Sequence, residues 1–478
     1  MQIFDVIVIG GGVIGGTVLR ELTKYRLNVC LLEKEGDVCM GQSRANSGIV
    51  HAGYDAAEGT LKAKFNVAGN KMMFSYAREL GVKCEQNGSF VVAFSQEELQ
   101  TLYALKERGE RNGVPFLEVV GAEKLREYEP NVSSRAVGAL YAPTGGTVCP
   151  YELTIAAIGN AMDNGAQLFC DFEVHAIEKD GDRFRVATRD GREVAGKLLI
   201  NCAGLAAGAI ANLAGDPSLH IGARKGEYLL LDRESGNLVS RTLFFTPTKA
   251  GKGILVSRTV DGNIILGPTA EETQSRLTET SAEGLSAIMR KAQEMCPDVP
   301  LYNTITSFAG VRAYSDRHDF IIEESKAVNG LIHCAGIESP GLTSAPAIAQ
   351  YVAETLVGKH FALEKNASFC GARKSDRFFS ELSVEEKNKL IARDPAFGKI
   401  VCRCEQVTEG EILHAIKSNP PARNIDAVKR RTRSGMGRCQ GGFCQPHIAE
   451  LIARELDIPL DEVTKSGRGS NLVAEACK

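Results

Sequence analysis

Asp5-Val6-Ile7-Val8-Ile9-Gly10-Gly11-Gly12-Val13-Ile14-Gly15 is the stretch on which the fold turns. Its β-branched start reads as a short strand buried on both faces. Gly10, Gly12 and Gly15 then stand in G-x-G-x-x-G spacing and open a helical segment through Leu22. A second strand, Asn28 to Leu32, ends at Glu33, 18 residues past Gly15. The first glycine permits the tight turn, the second lets a diphosphate approach the backbone, and the third packs helix on strand. The helix N-terminus then faces the phosphates. Glu33 is placed to accept hydrogen bonds from a ribose, which favours an unphosphorylated one: FAD or NAD rather than NADP. The order strand, glycine turn, helix, strand, acid predicts an α/β chain with a Rossmann-like domain.

Two later segments favour FAD. Lys197 to Ala203 reads as a strand running into Cys202-Ala203-Gly204, and Asn329 to Gly336 as another. The second ends in Ser339-Pro340-Gly341-Leu342-Thr343, with a helix from Ser344 to Leu356. A glycine-rich helix start this late in the chain suits a longer cofactor. The amides of Gly341 to Thr343 are expected to face the electron-rich pyrimidine edge of a flavin. An ordinary sheet strand with a capped helix is the alternative. Ala203, Gly204 and Gly336 belong to the same expected cofactor wall.

Length and composition bound the rest. A chain of 478 residues exceeds one ordinary core, so two or more domains are expected. Net charge −3 argues against nucleic acid as a partner, because phosphate binding needs a basic footprint. The apolar start has no basic leader or small-residue cleavage site, and no run of about 18 uncharged apolar residues occurs. A cytoplasmic protein is therefore expected. Fourteen cysteines without an export signal point to a reducing compartment. Ten are scattered among apolar neighbours and read as core packing.

With these segments in hand, the chain resembles the D-amino-acid-oxidase-like flavoenzymes, and within them the type II glycerol-3-phosphate oxidases and dehydrogenases. The likeness rests on Ala45-Asn-Ser-Gly-Ile-Val-His-Ala-Gly53, Leu61-Lys-Ala-Lys64, Arg224-Lys-Gly-Glu-Tyr228, Gly251-Lys-Gly253, Asp261-Gly-Asn263, Gly267-Pro-Thr269, Ser307-Phe-Ala-Gly-Val-Arg312 and Ser339-Pro-Gly-Leu-Thr343. L-2-hydroxyglutarate dehydrogenases share the Asn46-Ser-Gly…His51 and Leu61–Lys64 signatures. The resemblance implies a Rossmann-like FAD-binding domain interleaved with an antiparallel-sheet substrate domain. The FAD-binding segments are expected at about 1–75, 145–220 and 305–358, the substrate segments at about 76–144 and 221–304. It also implies that Ser43, Asn46 and Ser47 contact the cofactor.

Oxidising an alcohol by a flavin needs a base for the hydroxyl proton while hydride leaves the carbon. His51 suits that task because imidazole titrates near neutrality, and the resemblance gives it that role. Arg312 ends an apolar strand where a guanidinium can fork onto an anion, and Lys252 sits between two glycines on a turn. The resemblance makes both substrate contacts. Arg258 is a weaker third cation, Ser339 offers a hydroxyl near the flavin, and Tyr228 either walls the pocket or packs in the core.

From Lys359 to about residue 398 the sequence turns polar and reads as a linker, with a helix start at Ser383-Val-Glu-Glu. Residues 399–478 then carry Cys402-Arg-Cys404 and Cys439-Gln-Gly-Gly-Phe-Cys444. Four thiols in two close pairs make a metal site, either structural zinc or a [2Fe–2S] cluster. Zinc pairs are more often spaced C-x2-C, and Gly441-Gly442 lets amides approach sulfur. The tail resembles bacterioferritin-associated-ferredoxin-like [2Fe–2S] domains, as in the large subunit of anaerobic glycerol-3-phosphate dehydrogenases. A small helical domain is expected, with helices at Glu409 to Lys417 and from Asp426. The run Lys429, Arg430, Arg431 and Arg433 is expected to offset cluster charge or dock an acidic redox partner. With 13 basic and 10 acidic residues from Lys399 on, the tail is too balanced for RNA.

The expected function is oxidation of sn-glycerol 3-phosphate by FAD, electrons leaving through the cluster to a partner subunit or membrane quinone system. Oxidation of L-2-hydroxyglutarate or another 2-hydroxy acid is the alternative, and a non-catalytic redox sensor a further one.

Overall fold

The Gln2–Ile9 strand lies inside an eight-stranded sheet, paired in parallel with Val29–Leu32 on one side and Glu193–Asn201 on the other. This computed structural model describes residues 1–247, 253–375 and 379–473. Val6, Ile7 and Val8 are wholly buried, as a central parallel strand requires. Beyond Glu193–Asn201 the sheet continues with Leu331–Ala335, in parallel, and with the Val174–Asp180/Arg183–Thr188 hairpin. Segments separated by more than a hundred residues thus return to one sheet. The Val13–Leu22, Pro150–Asp163 and Gly341–Tyr351 helices pack together beside it. The Leu61–Glu79 helix lies directly on Gly341–Tyr351 because Gly69 stands at the crossing. A Cβ there would meet Thr343 O at 2.1 Å.

The second sheet has nine strands and is mostly antiparallel. At its heart, Ile221–Leu231 pairs along its whole length with Thr304–Ser315, placing Arg224 opposite Arg312. The Gln96–Arg111 and Ala282–Met295 helices cover its apolar residues. Here the domain reading is corrected. The 305–358 segment, expected to belong wholly to the cofactor domain, begins inside the second sheet and crosses to the first only after Ser315. Backbone pairing with Ile221–Leu231 decides that membership, and it is invisible in a strand's own residues.

Of the 359–398 stretch, the part from Lys365 to Arg373 is laid along the first domain. Lys365 bridges Tyr25, Cys370 O accepts from Asn160 and Asn164, and Arg373 pairs with Asp163 at 3.0 Å. Its helix, Val384–Arg393, starts with a full capping box between Ser383 and Glu386. The tail then folds as three helices, Glu409–Lys417, Ile425–Thr432 and Gln445–Leu456, around Ile412, Ile416, Val428, Ile448 and Ile452. The first matches the sequence reading, and the second starts at Ile425 because Asn424 caps it.

The basic run departs from expectation. Arg430, Arg431 and Arg433 are only 4%, 2% and 5% exposed, so they present no docking face to a partner. Arg430 and Arg431 both bind Asp37 of the first domain. Arg433 reaches Asp261 and Asn263 of the second sheet, Glu405 beside the cysteines, and the Tyr151 hydroxyl. These cations join the tail to both halves of the main body.

Candidate active site and cysteine centre

A cavity of about 800 Å³ runs from the Gly10–Val13 turn to the junction of the two sheets, within the range of small-molecule and cofactor sites. At one end Gly10 adopts φ +109°, and a Cβ on Gly15 would fall 2.0 Å from Gly10 O, so helix and strand meet as closely as glycine allows. Gly12 caps the Val13–Leu22 helix without any side-chain bond, leaving amides at its N-terminus open to an anion. Ser43 Oγ accepts from Val13 N at 2.9 Å, which brings the Met40–Ser47 loop to that same terminus.

Glu33 is buried, and each carboxylate oxygen takes one amide: Gly11 N at 2.7 Å and Glu35 N at 3.0 Å. Burial pushes its carboxyl up against the pull of those amides. Gly10, Gly12, Glu33 and Ser43 line the cavity, as do Asn46, Ser47, Ala203 and Gly204. Gly336, Gly341 and Leu342 close its far end. This cradle of open amides, with a carboxylate one strand away, fits a dinucleotide cofactor of FAD's length.

Two expected contacts stand back from the cavity. Gly15 is taken up by helix–strand packing. Thr343 is wholly buried, its hydroxyl accepting from His51 N at 2.9 Å and donating to Ile49 O at 3.3 Å. It fixes the His51 loop, a positioning role that the sequence did not show.

His51 follows the short Ile49–Val50 strand and lines the cavity. Its carbonyl accepts from Asn66 and Asn70, both on the Leu61–Glu79 helix. Its ring stacks on Phe244, centroids 5.7 Å apart, and Nε2 lies 3.3 Å from Ser339 Oγ. The backbone is thereby anchored and the imidazole held between Phe244 and Ser339, with Nε2 toward that hydroxyl.

Arg312 lines the same cavity; its Nη2 donates to Thr269 O at 2.9 Å, while its buried Nε has no partner among the described residues. Tyr228 does both things foreseen for it: it borders the cavity and stacks on Phe308 at 4.8 Å. Lys252 lies outside the described residues, although Gly253 beside it lines the cavity. Arg258 is not brought to the site. It lies on Leu255–Arg258, away from the cavity, with its guanidinium 4.0 Å from Glu85. Strand alternation turns it away, a consequence of register.

Sequence reasoning missed Lys62, Arg224 and Glu338. All three line the cavity, and Glu338 binds Lys62 at 3.0 Å and Arg224 at 3.5 Å. Lys62 and Arg224 lay within stretches quoted for the family likeness and Glu338 beside Ser339, so the signal was present.

In the tail the four thiols form two pairs. Cys404 Sγ stands 3.6 Å from Cys439 Sγ, and Cys402 is hydrogen-bonded to Cys444. That bond, with the Gly435 and Glu405 amides, draws the Cys402 thiol down to about 6 despite burial, while Cys444 is pushed up. Burial works to raise Cys439, and is outweighed by the Gly441 amide, the Cys404 thiol and the Phe443 amide. Among the described residues no three His, Cys, Asp or Glu side chains converge as ligands of a single ion. Two thiol pairs wrapped in amides match the division of a two-iron cluster, whose irons each take two cysteines.

Comparison with known proteins agrees with both sites. The family of FAD dependent oxidoreductases matches residues 5–355, and the BFD-like [2Fe-2S] binding domain matches residues 400–454. A glycerol 3-phosphate dehydrogenase of Caloramator mitchellensis is 48% identical over 99% of both chains. An L-2-hydroxyglutarate dehydrogenase of Escherichia coli K12 is 29% identical over 73% of this chain and 92% of its own. Among solved structures, the dithionite-reduced L-α-glycerophosphate oxidase of Mycoplasma pneumoniae with FAD bound superposes with TM-score 0.75 at 30% identity. It covers 78% of this chain and 99% of its own. An FAD cradle, a fixed histidine and a two-pair cysteine centre thus stand on one chain, which belongs to the FAD-dependent oxidoreductase family and carries a C-terminal [2Fe–2S] domain.

Proposed function

We propose that the chain oxidises sn-glycerol 3-phosphate to dihydroxyacetone phosphate. The observation that carries this reading is Arg312, a guanidinium that lines the cofactor cavity and, among the described residues, commits one Nη2 hydrogen, to Thr269 O. A buried cation with open donors is costly unless an anion completes it. Lys62 and Arg224 are both taken up by Glu338, so they offer less to the second carboxylate of a dicarboxylic substrate. One phosphate on Arg312, joined in this reading by Lys252, leaves the secondary hydroxyl to reach His51. The full-length likeness to a glycerol 3-phosphate dehydrogenase supports the same choice.

When bound, FAD supplies the hydride acceptor, and the [2Fe–2S] cluster supplies one-electron chemistry suited to a partner subunit or membrane quinone system as final acceptor. The protein residues do the rest. His51 Nε2 takes the hydroxyl proton once the substrate hydroxyl displaces that of Ser339, whose contact marks the direction in which this nitrogen faces the cavity. Phe244 and Tyr228 form apolar walls that limit water around the reacting carbon. Among the described residues no helix is long and apolar enough to cross a membrane. In this reading any membrane contact runs through partners, from the cytoplasmic side.

The test is anaerobic titration of the holoenzyme with glycerol 3-phosphate and, separately, L-2-hydroxyglutarate, following flavin bleaching. Bleaching by the first at stoichiometric concentration is expected. Bleaching by the second alone would replace the substrate and keep the site, and bleaching by neither would point to the sensor reading.

A further inference from the structure

The tail meets the main body at Asp37, just before the Met40–Ser47 loop that reaches the start of the Val13–Leu22 helix, and basic groups crowd there. Asp37, four residues past Glu33, is 3% exposed and accepts two parallel bonds from Arg431, Nη2 at 2.9 Å and Nη1 at 3.1 Å. It also accepts from Arg430, whose buried Nε has no partner among the described residues. Arg44 is half-buried and lines the cavity directly after Ser43, the residue that binds the start of the Val13–Leu22 helix. The hydrogen-bonding contact of its guanidinium among the described residues is the Met40 sulfur at 4.0 Å. Burial, and next the repulsion of Arg430, hold the Arg44 guanidinium below its ordinary value. Lys429 is lowered too, by burial and by Lys465, Arg430 and Arg44, against the pull of Asp426.

The nearby acids do not offset this. Asp426 is engaged by Lys465 at 3.1 Å and Glu35 by Lys34 at 2.9 Å. Arg430 and Arg431 therefore share one fully committed carboxylate, while Arg44 and Lys429 stand near enough to be repelled by Arg430. Buried like charges of this kind ask for an anion. A cofactor's diphosphate, bound at the start of the Val13–Leu22 helix, would supply that anion.

We propose that the C-terminal module is part of the FAD-binding apparatus: with Arg430 and Arg431 seated on Asp37 beside Arg44, docking of the module and binding of the cofactor's diphosphate form one coupled equilibrium. Coupling of this kind is reciprocal. The docked tail tightens FAD binding, and FAD tightens docking of the tail. The cluster is then held more firmly against the main body when the flavin is present.

The experiment uses full-length protein stripped of FAD with its cluster intact, checked by cluster absorbance. Dissociation constants for FAD, ADP and riboflavin are measured for wild type, Arg430→Met and Arg430→Lys. The proposal expects Arg430→Met to weaken FAD and ADP at least tenfold, Arg430→Lys to recover most of that loss, and riboflavin binding to stay unchanged. FAD affinity within twofold of wild type in Arg430→Met would overturn it, as would equal losses for riboflavin and FAD. Hydrogen exchange on the unaltered protein gives a second reading should the variant fail to fold. Amides of Ile425–Thr432 are expected to slow on adding FAD or ADP, and unaltered exchange there refutes the coupling.

Discussion

Replacing Arg312 by methionine isolates the anion contact. The side chain already gives one Nη2 hydrogen to Thr269 O and its Nε is enclosed, which leaves Nη1 and the second Nη2 hydrogen for substrate. A hydrogen bond to a charged group contributes about 1.5–3 kcal/mol. Two such bonds to a phosphate therefore contribute on the order of 3 kcal/mol at the low end, or roughly a hundredfold in kcat/KM. Methionine keeps similar length and apolar bulk, so the walls from Tyr228 and Phe244 should survive. Arg312→Lys keeps the charge and loses the fork, and about tenfold is expected. The assay is steady-state turnover with an artificial acceptor, comparing glycerol 3-phosphate with glycerol, which lacks the phosphate. Arg312→Met should depress the first and spare the second, with flavin absorbance unchanged. A loss of less than about threefold on glycerol 3-phosphate, or an equal loss on glycerol, would refute the assignment of Arg312 to the phosphate.

Three further outcomes are expected. His51→Gln should lower kcat by about a hundredfold to ten-thousandfold, the usual share of a general base, and abolish the acid limb of the pH–kcat/KM profile. A profile unchanged in shape would remove His51 from the proton transfer. Cys404→Ser should eliminate the cluster's electron-spin signal while substrate still bleaches the flavin; retention of a full signal would contradict the two-pair centre. Asp37 is held below the ordinary carboxylate value because Arg431 and Arg430 outweigh the penalty of burial. Its contribution to stability is present above its unfolded value of about 3.9 and lost as pH falls through the folded one. Protease release of the tail should thus rise steeply below about pH 4 in wild type. Asp37→Asn should already be loose at neutral pH with a flatter acid response, and a wild-type acid profile in that variant would show that the clamp does not hold the tail.

The glycine turn, Glu33, the Ser339–Thr343 helix start and the four cysteines were legible in the sequence, because each chemistry demands fixed residue types at short spacing. Local turn and cap rules also placed the Ser383 capping box and the Glu409–Lys417 helix. What the tertiary structure alone decided is which distant side chains share a space. Thr304–Ser315 joined the second sheet through pairing with Ile221–Leu231, and Arg258 left the site through strand register. The basic run of the tail, which read like an exposed patch, became the buried link to Asp37 and Asp261. A charge's role depends on the dielectric around it and on the partner it meets, and both are set by segments hundreds of residues away, which no local pattern encodes.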